Sequence, residues 1–292
     1  MQCNLCYCMS YKNLDKSKTL LNTMFQYLKL LAKRERKTWQ DSFELIFNVN
    51  AIEERKIDRF RSLYNIARGK ELPISYAFIA SFKPMMKVLS DKQFAFSPLG
   101  LIHISANFSF IAELDYSQPF EIKFKVDQSG IHPLGHLITV TSQFFQNDKQ
   151  CLINTNTMLK KTKTQKSTRK DLPQFDGKCS LLVDKTLARQ YAKVSDDYNP
   201  IHLSNRLAKL FAMPKAIMHG MYLGHLVLIK KEVKVKQIEI KFKKPCFLPS
   251  NIGILTKSNE ATDIDTNTEE QTTYQVYSMP DKLHLELVCS RD

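Results

Sequence analysis

The chain has 292 residues, 43% of them hydrophobic and 25% charged, with a formal net charge of +14. That apolar fraction excludes a disordered chain, and eight Gly with eleven Pro exclude collagen-like and linker-like architectures. No apolar run reaches the roughly 18 to 20 residues that span a bilayer, the longest, residues 216–229, being broken by His219, Gly220, Gly224 and His225.

Residues 1–40 read as a basic extension in which Leu20, Leu21, Met24, Leu28 and Leu31 recur at helical spacing, an amphipathic helix suited to packing on the body or to peripheral membrane contact. Its apolar stretch is interrupted by Asn22, Gln26 and Lys29 and lacks a small-residue cleavage site, so a cytoplasmic location is expected. Seven cysteines, with Cys151, Cys179, Cys246 and Cys289 widely scattered, point to reduced thiols rather than a disulfide framework. Cys3, Cys6 and Cys8 lack a fourth ligand at zinc-site spacing, and no metal is expected.

Phe43, Leu45, Phe47 and Val49 alternate as a strand, and residues 51–66 switch to a charged helix with Ile52, Phe60 and Leu63 on its inner face. A bulky apolar helix follows over 75–89, which Pro84 should kink or end. Four strands are predicted over 101–112, 120–127, 135–145 and 151–159, clearest where Ile122, Phe124 and Val126 alternate with Lys123 and Lys125. The stretch 161–178, basic and holding Pro173 and Gly177, reads as a linker.

After the linker the order repeats. Helices are predicted over 182–194, 205–212 and 217–231, then strands over 233–243, 252–257, 272–277 and 283–288. The first of these strands slips its alternation near Gln237, implying a bulge or tight bend there, and Leu283, Leu285 and Leu287 share one face of the last. Helices followed by mostly antiparallel strands, twice over, are the α+β signature. Two similar domains in tandem, over 41–160 and 179–292, are the economical reading.

Gly-rich phosphate loops, zinc-protease and serine-hydrolase motifs are absent. Attention falls on the string from Val194 to His202. On a continuous helix Asp197 and His202 would diverge, but Pro200 fixes its own φ, lacks an amide hydrogen and pushes Asn199 into an extended conformation. A loop can then bring carboxylate and imidazole to one water, a pairing suited to acid/base chemistry near neutral pH. An Asp and a His five apart are also common as a turn cap and a core histidine.

The complete string shifts the balance toward the first. Ser195, Asp197 and Asn199-Pro200-Ile201-His202, followed after a short helix by Ile217-Met218-His219-Gly220-Met221, resemble the two motif blocks of the MaoC-like family, which includes the (R)-specific enoyl-CoA hydratases. The resemblance implies two fused hot-dog domains, each an antiparallel sheet wrapped around a central helix. The first is degenerate and accommodates the acyl chain; the second is catalytic. It implies reversible hydration of trans-2-enoyl thioesters to (3R)-3-hydroxyacyl thioesters in fatty acid metabolism, with Asp197 and His202 catalytic. Asn199, His219, Gly220 and Met221 would serve the oxyanion or substrate, Gly220 by admitting the thioester closely.

No cofactor is implied, the substrate itself being a thioester of coenzyme A or acyl carrier protein. Lys241, Lys243 and Lys244 are candidate contacts for its phosphates, and the basic balance needs no nucleic acid to account for it. A monomer with an internal hot-dog pair and a homodimer are both compatible with the resemblance. One departure stands out: Asp196 occupies the place of the family's usual Gly, setting a second carboxylate beside Asp197. A catalytically silent acyl-thioester or carrier-protein binding module is the alternative that this departure and the basic surface suggest.

Overall fold

The computed structural model describes residues 35–36, 38–98, 100–162, 178–258, 271–279 and 282–290. The expected helix over 20–31, Cys3, Cys6 and Cys8, and nearly all of the 161–178 segment lie outside them.

The first half contributes β1 (Ser42–Val49), α1 (Glu54–Tyr64), α2 (Tyr76–Ser90), β2 (Leu101–Phe110), β3 (Phe120–His132), β4 (Gly135–Gln146) and β5 (Lys149–Lys161). The second contributes β6 (Leu181–Val183), α3 (Lys185–Ser195), α4 (Pro200–Leu203), α5 (Asn205–Lys209), α6 (Gly220–Lys230), β7 (Gln237–Phe242), β8 (Ser250–Ser258), β9 (Gln271–Ser278) and β10 (Lys282–Ser290). All ten strands form one antiparallel sheet in the order β1-β3-β4-β5-β2-β7-β10-β9-β8-β6. Within each half the first strand lies outermost and the second innermost, so the two halves share one topology and meet where β2 pairs with β7, Ala106 opposite Ile240 and Phe108 opposite Ile238.

Sheet and helices are built from the patterns their residues carry. On β3, Ile122, Phe124 and Val126 are wholly buried while Lys123 and Lys125 face outward, the period-2 pattern of a sheet with one covered face. Helices α2 and α6 are apolar almost all round and are the buried central helices of the two halves. Burial also explains why α2 runs through Pro84 rather than ending there. Twelve of its fifteen residues are buried, and at about 1.5–3 kcal/mol for each large side chain this outweighs the roughly 3 kcal/mol that an interior proline costs.

Glycines set the spacing of α6 from the sheet. Gly220 and Gly224, one turn apart, face β7: a Cβ on Gly220 would stand 2.6 Å from the Phe242 ring, and one on Gly224 2.9 Å from Ile240 Cδ1. The halves also interlock through helices. Tyr64 of α1 donates its hydroxyl proton to the Tyr222 carbonyl of α6 at 3.2 Å, and Phe60 and Tyr64 pack against His225.

Several sequence expectations need correction. Leu182 lies in the short strand β6, and the helix begins only after Asp184, whose carboxylate accepts from the Leu187 amide as an N-cap. The strand expected over 233–243 starts at Gln237; the broken alternation marks a bend at Lys236 just ahead of it, the second of the two expected alternatives, rather than a bulge within the strand. A register shift in β10, between Leu283 and Leu285, breaks the expected common face, and Leu283 packs with Tyr277 apart from the main core that Leu285 and Leu287 join. Helix α4 was not anticipated. Among the described residues no helix is long and apolar enough to cross a membrane, and Cys151, Cys179, Cys246 and Cys289 are free thiols.

Candidate active site

Helix α3 ends where Asp196 enters the left-handed region at φ +62°. The backbone then passes through Asp197 and Tyr198 to Asn199, at φ −55° and ψ 125°, and re-enters helix at Pro200. Each step has a local cause. The Asp197 amide donates to Ser195 Oγ at 3.2 Å, and Ser195 Oγ donates to the Tyr191 carbonyl at 2.9 Å. Asp197 Oδ1 accepts from the Asn199 amide at 3.1 Å, closing an Asx turn. Asn199 Oδ1 caps α4 by accepting from Ile201 at 3.3 Å, with Pro200 at the first helical position, where its missing N–H costs nothing.

The turn brings Asp197 and His202 together, and it brings His219 with them. A carboxylate oxygen of Asp197 and one ring nitrogen of each histidine lie within 4.8 Å of one another. The two imidazoles stack at 3.7 Å between centroids, 25° from parallel.

The histidines have defined tautomers. His202 Nδ1 lies 2.8 Å from the Ile217 carbonyl, and since a carbonyl only accepts, Nδ1 carries the proton and the other nitrogen keeps its lone pair. By the same reasoning His219 Nε2 donates to the Asp197 carbonyl at 3.0 Å. Burial holds the His202 pKa below its ordinary value, against the pull of Asp197, and pushes His219 well below, helped by His202. Both rings are neutral at pH 7. His202 is placed as an acceptor, and His219 steadies the backbone of Asp197.

Asp196 serves different partners from Asp197. Its carboxylate meets the Nζ of Lys56 on α1 and, at 3.4 Å, that of Lys83 on α2. Its charge is thus directed to two lysines of the first half, 113 and 140 residues away in sequence. Neither lysine carried any signal in the sequence.

Asp197 and Asn199 face a cavity of about 120 Å³ whose other walls come from the first half, including Phe78, Phe82 and Met85 of α2 and His103 of β2. A larger groove of about 850 Å³ lies toward the opposite end of β2, at Phe110, and holds none of the expected site residues. Gly220 opens α6, but the ring of Phe242 occupies the space beside its missing side chain. Met221 is buried in the core and its carbonyl accepts from His225 Nδ1. Lys241 pairs with Glu239 at 2.8 Å and Lys243 with Glu286 at 3.6 Å; Lys244, exposed, follows on the same strand end.

Residues 161–279 match the MaoC like domain. The 3-hydroxyacyl-thioester dehydratase X of Mycobacterium tuberculosis is 24% identical over 212 residues, 70% of this chain and 76% of that protein. The crystal structure of HtdX from that organism superposes with a TM-score of 0.70 at 20% identity, covering 84% of this chain and 99% of the other. A MaoC-like dehydratase from Phytophthora capsici gives 0.60 at 17%, covering 86% and 96%. A second M. tuberculosis protein, described as having a double hot-dog fold, gives 0.53 at 11%, covering 87% and 96%.

Proposed function

From the premise that this chain belongs to the MaoC-like dehydratases in their double hot-dog form, we propose that it is a hydro-lyase interconverting trans-2-enoyl and (3R)-3-hydroxyacyl thioesters. The observation that carries the reading is the meeting of the Asp197 carboxylate with neutral, acceptor-bearing His202 at the mouth of an apolar slot.

In the hydration direction Asp197 and His202 hold one water between them. Its oxygen bonds to C3 as its proton passes to the acceptor, and the double-bond electrons move toward the thioester oxygen. That oxygen's charge is stabilised by the unpaired amides at the N-terminus of α6, where removal of one such donor in other enzymes costs about 3 kcal/mol. A proton returned to C2 restores the thioester and the starting protonation state. Asn199 fixes the turn, His219 holds the Asp197 backbone, and Gly220 lets α6 approach β7. Lys243 and Lys244, beside Phe242, are the lysines best placed for the phosphates of coenzyme A or a carrier protein's prosthetic arm. Residues 41–160 supply the acyl slot and 179–292 the catalytic loop, so a single chain completes the site and a monomer suffices.

The test is the loss of enoyl-thioester absorbance on adding the protein to crotonyl-, hexenoyl- and longer enoyl-CoA. Asp197→Asn and His202→Gln should each lower kcat/KM by about 10² or more while leaving the fold intact. Full rates in either variant would refute the assigned roles. Binding without turnover of any enoyl thioester would favour the silent binding module.

A further inference from the structure

The helices that carry the catalytic loop present charge of one sign to solvent. Lys185, Arg189 and Lys193 stand at i, i+4 and i+8 on α3, all exposed, and form one row about 12 Å long at 1.5 Å per residue. Arg206 and Lys209, also exposed, share a face of α5, and Leu210 after them is 77% exposed. Arg189 ties the two groups together: its Nε donates to the carbonyl of Leu203, the residue after His202, at 3.1 Å.

No acid on these helices answers the charge. From residue 185 to residue 215 the acids are Asp196 and Asp197, the first held by Lys56 and Lys83 and the second in the site. Among the described residues none of the five cations is in an ion pair. Elsewhere surface lysines stand against acids, as Lys123 does with Glu44 at 3.4 Å and Lys241 with Glu239 at 2.8 Å. A row of unanswered cations leaves its field directed outward, where it attracts and orients an anionic partner.

We propose that the face formed by α3 and α5 docks an acidic helix of a carrier protein that delivers the acyl group as its thioester. The distribution of the charges selects this partner. The phosphates of coenzyme A call for donors converging on one point, whereas these five are spread along two helices and end in solvent. A lipid surface calls for several large apolar side chains beside the cations, but the other exposed positions of α3 are Thr186 and Gln190, and Leu210 stands alone beside α5. An acidic helix meets the row charge for charge, with Leu210 as an apolar contact inside a polar rim. Because the row leads into the loop that holds Asp197 and His202, a partner seated on it brings its thioester arm to the slot.

The docking face rests on the acyl-thioester reading above and names the handle that reading left open. Kinetics on the full chain compare one acyl group on three handles: crotonyl-pantetheine, crotonyl-CoA and crotonyl-loaded acyl carrier protein. The carrier substrate should exceed both others in kcat/KM by about tenfold or more at low salt, and lose most of that advantage by about 0.5 M salt, where the screening length is only a few Å. The double variant Lys185→Glu/Lys193→Glu should lower kcat/KM for the carrier substrate about tenfold or more, through KM, and leave crotonyl-pantetheine unchanged. Arg206→Glu/Lys209→Glu is the second variant if the first does not fold. Crotonyl-CoA used as well as the carrier substrate, a carrier advantage that survives in a folded variant, or equal losses on carrier and pantetheine overturns the docking face. Cosedimentation with phosphatidylserine vesicles in place of any carrier preference overturns it in favour of lipid. Turnover of crotonyl-pantetheine with no carrier advantage sinks the docking face alone. Binding of the loaded carrier that salt and the double variant both abolish, without turnover of any handle, sinks the hydro-lyase reading and leaves the face standing.

Discussion

Replacing Asp196 probes the contact through which the first half holds the catalytic loop. Asp196→Ala removes the carboxylate at φ +62°, a conformation that costs any residue with a Cβ about 1–2 kcal/mol and so is borne by the aspartate and the alanine alike. The ion contacts differ in weight. Lys83 is 45% exposed, so its share is at most about 1 kcal/mol after solvent screening. Lys56 is 23% exposed and Asp196 19%, placing that pair between the exposed value and the roughly 3–5 kcal/mol lost when one partner of a fully buried pair is removed. The alanine variant should lose the ionic part, about 1–3 kcal/mol. Asp196→Gly loses the same ionic part but is relieved of the backbone cost, and should be about 1–2 kcal/mol more stable than the alanine variant. Denaturant unfolding of the three proteins at one pH and salt concentration reads the differences. An alanine variant within about 0.5 kcal/mol of the parent would show that the lysines do not stabilise the loop. An alanine variant no weaker than glycine would refute the backbone argument.

Four further outcomes follow from the same geometry. Because burial holds the His202 pKa below 6.5, the ring stays a neutral base at pH 7, and the acid limb of the pH–rate profile should lie below 6.5; a midpoint at or above that value refutes the assignment. His103 and His225 are pushed to about 4 while their unfolded forms titrate near 6.5, so the unfolded chain binds more protons between these values. Stability should therefore fall as pH drops from 6.5 toward 4, by up to about 3 kcal/mol for each ring, and acid unfolding curves that are flat over this window would contradict it. Gly220→Ala places a Cβ 2.6 Å from the Phe242 ring and should lower stability by about 1–3 kcal/mol, a cost that Phe242→Leu, with its smaller side chain, should reduce. Phe82→Ala should enlarge the slot, so the ratio of kcat/KM for decenoyl- to crotonyl-CoA rises; an unchanged ratio would mean that α2 does not limit chain length.

How much of this was legible in the residues depends on the range of the interaction involved. The alternation of Ile122, Phe124 and Val126 announces a one-sided strand because neighbours along the chain decide it. The Asn199-Pro200 pair announces the break before α4 for the same reason, and with it the convergence of Asp197 and His202. The positional role of His219 was partly legible, in that it stands just before α6, but its hold on the Asp197 carbonyl was not.

What the tertiary structure alone decided lies between segments far apart. Gly220 and Gly224 show a missing side chain in the sequence, but only the packing of α6 on β7 shows that Phe242 and Ile240 fill the space. Lys56 and Lys83 look like ordinary surface lysines until the halves come together around Asp196. His103 and Asn156 look like strand polar residues until β2 and β5 pair and α2 closes over them. Periodicity and turn chemistry act over a few residues and can be read locally. Which side chains share a slot is set by the burial of apolar surface between elements a hundred residues apart, and no local pattern encodes that.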